Sequence, residues 1–240
     1  MSNDSFAFKQ FEVRQGRSAM KVGTDGVLLG AWFDAGVHAM RILDIGTGTG
    51  LIALMAAQRN PLARIDAVEI DPDSRADAAD NFCRSAWWER LELHACSFAE
   101  FCGRTASGIY ERIVSNPPYF VDSVRAVDEG RNRARHADSL PYGELLRGVA
   151  KLLTENGRFA VVLPVETYRE FVMEAARCGL FPVRRTDVIT RKGKNPRRVL
   201  SEFAAKPERL RVETLTLIEE QSSECTATYK ELVGDFYLRM

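Results

Sequence analysis

The run Arg41-Ile42-Leu43-Asp44-Ile45-Gly46-Thr47-Gly48-Thr49-Gly50 decides the fold. Five residues of strand character feed a glycine-rich turn, and the turn feeds an apolar helical pattern over 50–59. Glycines at a strand-to-helix turn let the backbone approach a ligand, and the first N–H groups of the helix favour polar or anionic groups. An acid, Glu69, closes the next strand 23 residues after Gly46, where its carboxylate can accept hydrogen bonds from ribose hydroxyls. GxGxG alone is a weak signal. Strand, glycine loop, helix, strand and terminal acid in that order is a strong one for a nucleotide-type ligand.

Outward from this run, strand patterns alternate with helical ones. Strands are predicted at 41–45, 64–70, 91–95, 109–115, 157–163, 181–190 and 198–204, and helices at 50–59, 72–84, 141–153 and 165–178. Alternation of this kind builds a parallel sheet covered by helices on both faces. The last two strands have no helix between them, so they pair as an antiparallel hairpin. The expected fold is therefore α/β and Rossmann-like, a seven-stranded, mostly parallel sheet ending in an antiparallel hairpin. Residues 1–34 form a lead-in or lid, with Thr24 capping a short helix over 25–33, and 35–240 form the main domain. Gly157 is read as a helix-ending break, Asp71 equally as an N-cap or a ligand, and 120–139 as a polar, Arg-rich loop.

The strand at 109–115 runs into Asn116-Pro117-Pro118-Tyr119, and Asn116 lies 72 residues beyond Asp44. Ligands of open α/β sheets sit beyond the carboxyl ends of the strands, so both motifs should face one crevice. A proline has no N–H, so this turn presents carbonyls. The Asn116 side-chain oxygen and the Pro117 carbonyl suit an acceptor amine whose lone pair is delocalised. Accepting both of its N–H bonds raises its charge density, and Tyr119 offers a flat face to an unstacked base. Such catalysis is positioning plus electrostatics, without a covalent intermediate.

Composition sets the boundaries. The 240 residues are 45% hydrophobic and 28% charged, which excludes collagenous, coiled-coil and disordered classes. Thirty-three bases balance thirty-three acids, so a uniformly basic nucleic-acid coat is excluded while a local patch is not. Residues 181–211 hold ten bases against three acids, a net +7, leaving −7 elsewhere. Within them Arg191, Lys192, Lys194 and Arg197 belong to a basic loop suited to phosphate contact, and Arg131, Arg133 and Arg135 form a second basic stretch after the tetrapeptide. No apolar run approaches the roughly 18 residues of a membrane span, and the N-terminus lacks signal-peptide character. Five cysteines without a C-x-x-C point to a reducing cytoplasm and to no metal site of common spacing. The tail aromatics Phe236 and Tyr237 are expected to dock on the sheet, and Trp87-Trp88 to act as filler.

Asp44 with the G-x-G-x-G spacing resembles the first motif of class I S-adenosylmethionine (SAM)-dependent methyltransferases. The resemblance implies SAM as cofactor. It implies Asp44, Gly46, Gly48 and Gly50 at the methionine end, Glu69 on the ribose, and Asn116 at both cofactor and acceptor. Asn116-Pro117-Pro118-Tyr119 resembles the catalytic signature shared by adenine-N6, guanine-N2 and glutamine-N5 methyltransferases. The lead-in Phe8–Gly26, Arg135-His136-Ala137-Asp138-Ser139-Leu140 and the tail Asp235-Phe236-Tyr237-Leu238 make the chain similar to the bacterial tRNA adenine-N6 methyltransferase family, over nearly its whole length. That implies methylation of the adenosine at position 37 of a valine tRNA; the chain is expected to act as a monomer without a metal. Protein glutamine-N5 and guanine-N2 RNA methylation stay open as alternatives. One departure is Ser97, which stands where such enzymes often place the acid that meets the SAM adenine. Lys21 and Thr24 are read equally as methionine-end contacts and as a surface base and a helix cap.

Overall fold

The computed structural model describes residues 4–118 and 140–239. A small antiparallel hairpin, β1 (Ser5–Ala7) and β2 (Glu12–Arg14), opens the chain and leads to helix α1 (Thr24–Trp32). Then follow β3 (Arg41–Ile45), α2 (Leu51–Arg59), β4 (Arg64–Val68), α3 (Pro72–Arg84), β5 (Leu91–His94), α4 (Phe98–Arg104) and β6 (Tyr110–Ser115). The second half holds α5 (Tyr142–Leu152), β7 (Leu153–Pro164), α6 (Val165–Arg177), β8 (Phe181–Arg191), β9 (Arg198–Ala204), β10 (Arg211–Ile218) and α7 (Ala227–Val233).

Eight strands form one sheet in the order β10-β8-β9-β7-β6-β3-β4-β5. All pairings are parallel except those of β9, which runs antiparallel to both β7 and β8. All seven predicted strands form, and β8–β9 is the predicted hairpin. That hairpin is not the sheet's margin, because β10 adds an eighth strand beyond it. The first half of β10 is exposed and only Leu215 and Leu217 bury, which leaves a weak alternating signal. One face of the sheet carries α1, α2, α7 and the hairpin around Val27, Leu54 and Phe236; the other carries α4, α5 and α6 around Leu145, Phe159 and Phe171. Trp87 packs on the first core, while Trp88 is 59% exposed.

Two local readings need correction. Thr24 does not cap α1: Gly23 holds the N-cap position with no side-chain bond, and Thr24 is already helical. Gly157 does not end a helix. It lies inside β7, which starts directly after α5, and a Cβ there would come within 2.6 Å of Leu153. The tail docks as expected: Lys9 N–H donates to Phe236 O at 2.8 Å, and Tyr237 bridges to Phe8 in a ring cluster with Phe6 and Phe11.

Candidate active site

Strand order reverses direction at β3, whose neighbours are β4 on one side and β6 on the other. A crevice must open there beyond the carboxyl ends. Register makes it specific. Ile45 pairs with Ser115, so Gly46 and Asn116 are the first residues past adjacent strand ends. The Ser115 hydroxyl donates to Ile45 O at 2.9 Å and ties the two ends together. The result is a cavity of about 390 Å³ walled by the glycine loop, Glu69, Ser97 and Asn116-Pro117-Pro118.

The glycine loop is held from behind. Gly46 and Thr47 N–H groups donate to Val68 O at 2.9 and 3.1 Å. Asp44 is 1% exposed and accepts from the Thr47 hydroxyl at 2.6 Å and from Ala53 N–H at 3.1 Å through one oxygen. Its other oxygen is buried with no hydrogen-bond partner among the described residues, and burial pushes the carboxyl up to about 7. Asp44 is thus not a wall of the cavity; it fixes the loop to the start of α2. Gly50 also stands behind the wall, at φ +83°, where a Cβ would lie 2.5 Å from the Phe82 ring. Gly46 and Gly48 do line the cavity, with open space where their Cβ atoms would be.

Glu69 bridges the loop and the next helix. Its carboxylate accepts from Gly48 N–H at 2.8 Å and Asp71 N–H at 2.9 Å. Each oxygen keeps acceptor capacity beyond these bonds, at the wall of the cavity. Asp71 is an N-cap, accepting from Ser74 N–H at 2.7 Å through one oxygen, and it also lines the cavity. Ser97 is engaged likewise in a capping box: its hydroxyl donates to Glu100 at 2.9 Å and accepts from Glu100 N–H at 3.2 Å.

No Lys or Arg stands among the described wall residues, whereas Glu69, Asp71 and Glu144 are acids. That charge repels a dinucleotide pyrophosphate and attracts a cation. A sulfonium nucleoside carrying a ribose diol and no phosphate fits this cavity. Leu140, just before α5, and Glu144, in its first turn, are walls that sequence reasoning missed. An acid in a helix's first turn is ordinary, so no signal marked it.

Above the cavity, Asp77 accepts from Arg17 N–H, Ser18 N–H and the Ser18 hydroxyl at 2.8–3.0 Å. This clamp sets Ala19 and Met20 at the cavity wall. Lys21 instead donates to Gln15 O, and neither it nor Thr24 is a wall residue. A Cβ on Gly26 would come within 3.9 Å of the Asn116 amide, so α1 packs against Asn116. Tyr119, Arg131, Arg133 and Arg135 lie outside the described residues.

The turn after β8 sits at the same sheet edge, since β8 is parallel to β3 and β6 through the sheet, and Pro164 pairs with Arg198. Arg191 donates to Glu219 O and Ser222 O, bracing the turn from inside. Lys192 is 4.0 Å from Glu219, and Lys194 and Arg197 are exposed with no ion pair among the described residues. Much of the +7 segment is neutralised elsewhere: Arg184 meets Glu202 and Glu213, Arg185 meets Asp187, Arg198 meets Asp25 and Lys206 meets Glu155. Asp66, Glu92 and His94 form a triad with metal-ligand chemistry, but both Asp66 oxygens already accept, from His94 at 2.7 Å and from Arg41 and Tyr110 at 2.8 and 2.7 Å. No helix among the described residues is long and apolar enough to cross a membrane.

Residues 18–177 match the family described as the methyltransferase small domain. The tRNA1(Val) (adenine(37)-N6)-methyltransferase of Bacteroides fragilis is 47% identical over 240 residues, covering 100% of both chains. That of Trichodesmium erythraeum is 44% identical over 244 residues, again covering 100% of each. Among solved structures, a predicted O-methyltransferase from Agrobacterium tumefaciens matches with a TM-score of 0.69 at 18% identity, over 88% of this chain and 96% of that one. Pyrococcus horikoshii TYW2, solved in complex with MeSAdo, matches at 0.58 and 12% identity, over 83% and 69%. At these identities the structural likeness is one of fold.

Proposed function

The chain belongs to the methyltransferase small-domain family, and from that premise we propose that it transfers a methyl group from SAM to the N6 amine of an adenine in tRNA, the adenosine at position 37 of a valine tRNA. The observation that carries this reading is the Ile45–Ser115 register, which makes the glycine loop and Asn116-Pro117-Pro118 neighbours around one anionic cavity. Full-length identity of 47% to a protein named for that reaction supports the acceptor.

The chemistry supplied from SAM is an already activated methyl group, open to in-line displacement by a lone pair. Glu69 holds the ribose diol through the acceptor capacity left beside Gly48 and Asp71. Gly46 and Gly48 admit the methionine end, and Asp44 acts behind them by fixing the loop. The Asn116 side-chain oxygen and Pro117 carbonyl accept the acceptor amine's N–H bonds, with Pro118 and Tyr119 completing the base pocket. Ser97 is a wall beside the adenine. Lys192, Lys194 and Arg197, with Arg131, Arg133 and Arg135, contact phosphates of the tRNA, and Arg191 braces the basic turn. Of the lead-in, Ala19 and Met20 border the cavity while α1 and the β1–β2 hairpin belong to the core, and the enzyme works as a cytoplasmic monomer without a metal.

The test is incubation with labelled SAM and total tRNA from a host lacking the endogenous activity, followed by nucleoside analysis. Label in N6-methyladenosine is expected. Label in N2-methylguanosine would replace the base, and label confined to a protein fraction would replace the substrate with a glutamine side chain.

A further inference from the structure

The cavity carries a carboxylate at its β5 end that nothing above uses. Sheet order sets a direction across the strand ends: Asn116 past β6, Gly46 and Gly48 past β3, Glu69 and Ile70 past β4, then Cys96 and Ser97 past β5. With the methyl group at Asn116 and the ribose at Glu69, the adenine of the cofactor extends toward β5. Its exocyclic amine is a donor that loses water on entering, and a buried donor needs an acceptor. Asp71 follows β4, on the ribose side with Glu69, and one of its oxygens caps Ser74 N–H at 2.7 Å; the Ser97 hydroxyl, past β5, is engaged with Glu100 on both its donor and acceptor sides. Glu100 itself is turned back onto Ser97 N–H at 2.9 Å.

Glu144 remains. It stands in the first turn of α5, lines the cavity, and its carboxylate makes no hydrogen bond or ion pair with any described residue. Its direction is set by packing. Gly148, one turn further on the same helix face, lies so close to α4 that a Cβ would come within 2.3 Å of the Phe98 ring and 2.8 Å of Cys102 Sγ. Both helices follow parallel strands, so they run side by side with their N-termini at the cavity edge. Glu144 therefore faces the Ser97–Phe98 end.

We propose that Glu144 is the specificity residue that accepts the exocyclic amine of the cofactor's adenine. The inference rests on the SAM-binding reading above. It predicts discrimination between S-adenosyl-L-homocysteine and S-inosyl-L-homocysteine, in which a carbonyl oxygen replaces the amine and faces the carboxylate.

Titration calorimetry of both compounds against the full chain decides it. The wild type should bind the adenosyl compound roughly ten- to a hundredfold more tightly, the range of one hydrogen bond to a charged acceptor. Glu144→Ala should lose affinity for the adenosyl compound alone and so lose the preference. Glu144→Gln, whose amide can turn its NH₂ to the inosyl carbonyl, should narrow the ratio while keeping adenosyl binding above that of the alanine variant. Equal weakening of both compounds in Glu144→Ala, or an unchanged ratio, overturns the assignment. An unchanged ratio with slower methylation of tRNA also overturns it and moves Glu144 to the acceptor side. Failure of the wild type to bind either compound sinks the cofactor reading itself, and the assignment with it.

Discussion

Replacing Glu69 with alanine separates cofactor binding from loop structure. Glu69 is 9% exposed, and its carboxylate accepts from Gly48 N–H at 2.8 Å and Asp71 N–H at 2.9 Å. Two ribose hydroxyls donating to the same carboxylate each contribute about 1.5–3 kcal/mol, as hydrogen bonds to a charged group do. Losing both removes about 3–6 kcal/mol of binding, or roughly a 10²- to 10⁴-fold rise in Kd. Folding suffers less, because the freed Gly48 and Asp71 N–H groups border an open cavity and are reached by water. The assay pairs calorimetric titration of S-adenosyl-L-homocysteine with urea unfolding of the free protein. Asp71→Ala is the control. It removes the cap on Ser74 and one wall charge but no ribose contact, and should cost about 1 kcal/mol of stability with a much smaller loss of affinity than Glu69→Ala. If Glu69→Ala bound within threefold of the wild type, or if Asp71→Ala weakened binding as much, the ribose role argued for Glu69 would be wrong.

Asn116→Ala should leave S-adenosyl-L-homocysteine affinity within about threefold and lower kcat on tRNA by about 10²–10³, the scale of a lost transition-state hydrogen bond, as single-turnover transfer of labelled methyl would report. Gly50→Ala should destabilise by about 2–4 kcal/mol, combining the left-handed backbone penalty with a clash against buried Phe82, whereas Gly46→Ala, with open space at its Cβ, should cost only about 1–2 kcal/mol in urea melts. Asp44 has a native pKa raised to about 7, so the stability it contributes is complete below pH 4 and is lost as pH climbs toward 7. Asp44→Asn cannot ionise, and its stability relative to wild type should rise by a few kcal/mol (about 4 at most) between pH 4 and pH 8; a flat difference would show that Asp44 titrates normally. Replacing Lys192, Lys194 and Arg197 together with alanine should reduce the slope of log K for tRNA against log salt by about 2–3, and an unchanged slope would remove the turn from the interface.

The chemistry of the site was legible because it is written in contiguous residues. Gly46-Thr47-Gly48-Thr49-Gly50 and Asn116-Pro117-Pro118 have backbone demands that few other structures meet, and the periods around them set the strands and helices that carry them to one edge. Local reasoning went astray where two signals overlapped. Thr24 is a good cap type, yet Gly23 takes the position. Gly157 looks like a helix stop, yet it allows close packing on Leu153 inside a strand. The hairpin β8–β9 was readable, but its place between β7 and β10 was not, because strand order depends on pairings between distant segments.

Sequence alone thus determined the alternating α/β architecture, the glycine loop, the Asn116-Pro117-Pro118 turn at a strand end and the docking of the aromatic tail. All of these rest on short-range geometry or on amphipathic pattern. Tertiary structure decided how each polar group is used. It put Asp44 and Gly50 behind the wall, engaged Ser97 and Asp71 as caps, and aimed Glu144 inward. It also divided a +7 stretch between internal ion pairs and a short basic turn. The physical reason is that a side chain's residue type limits what it can donate or accept, while the partners it finds come from residues tens of positions away. Only the packed chain brings those partners together.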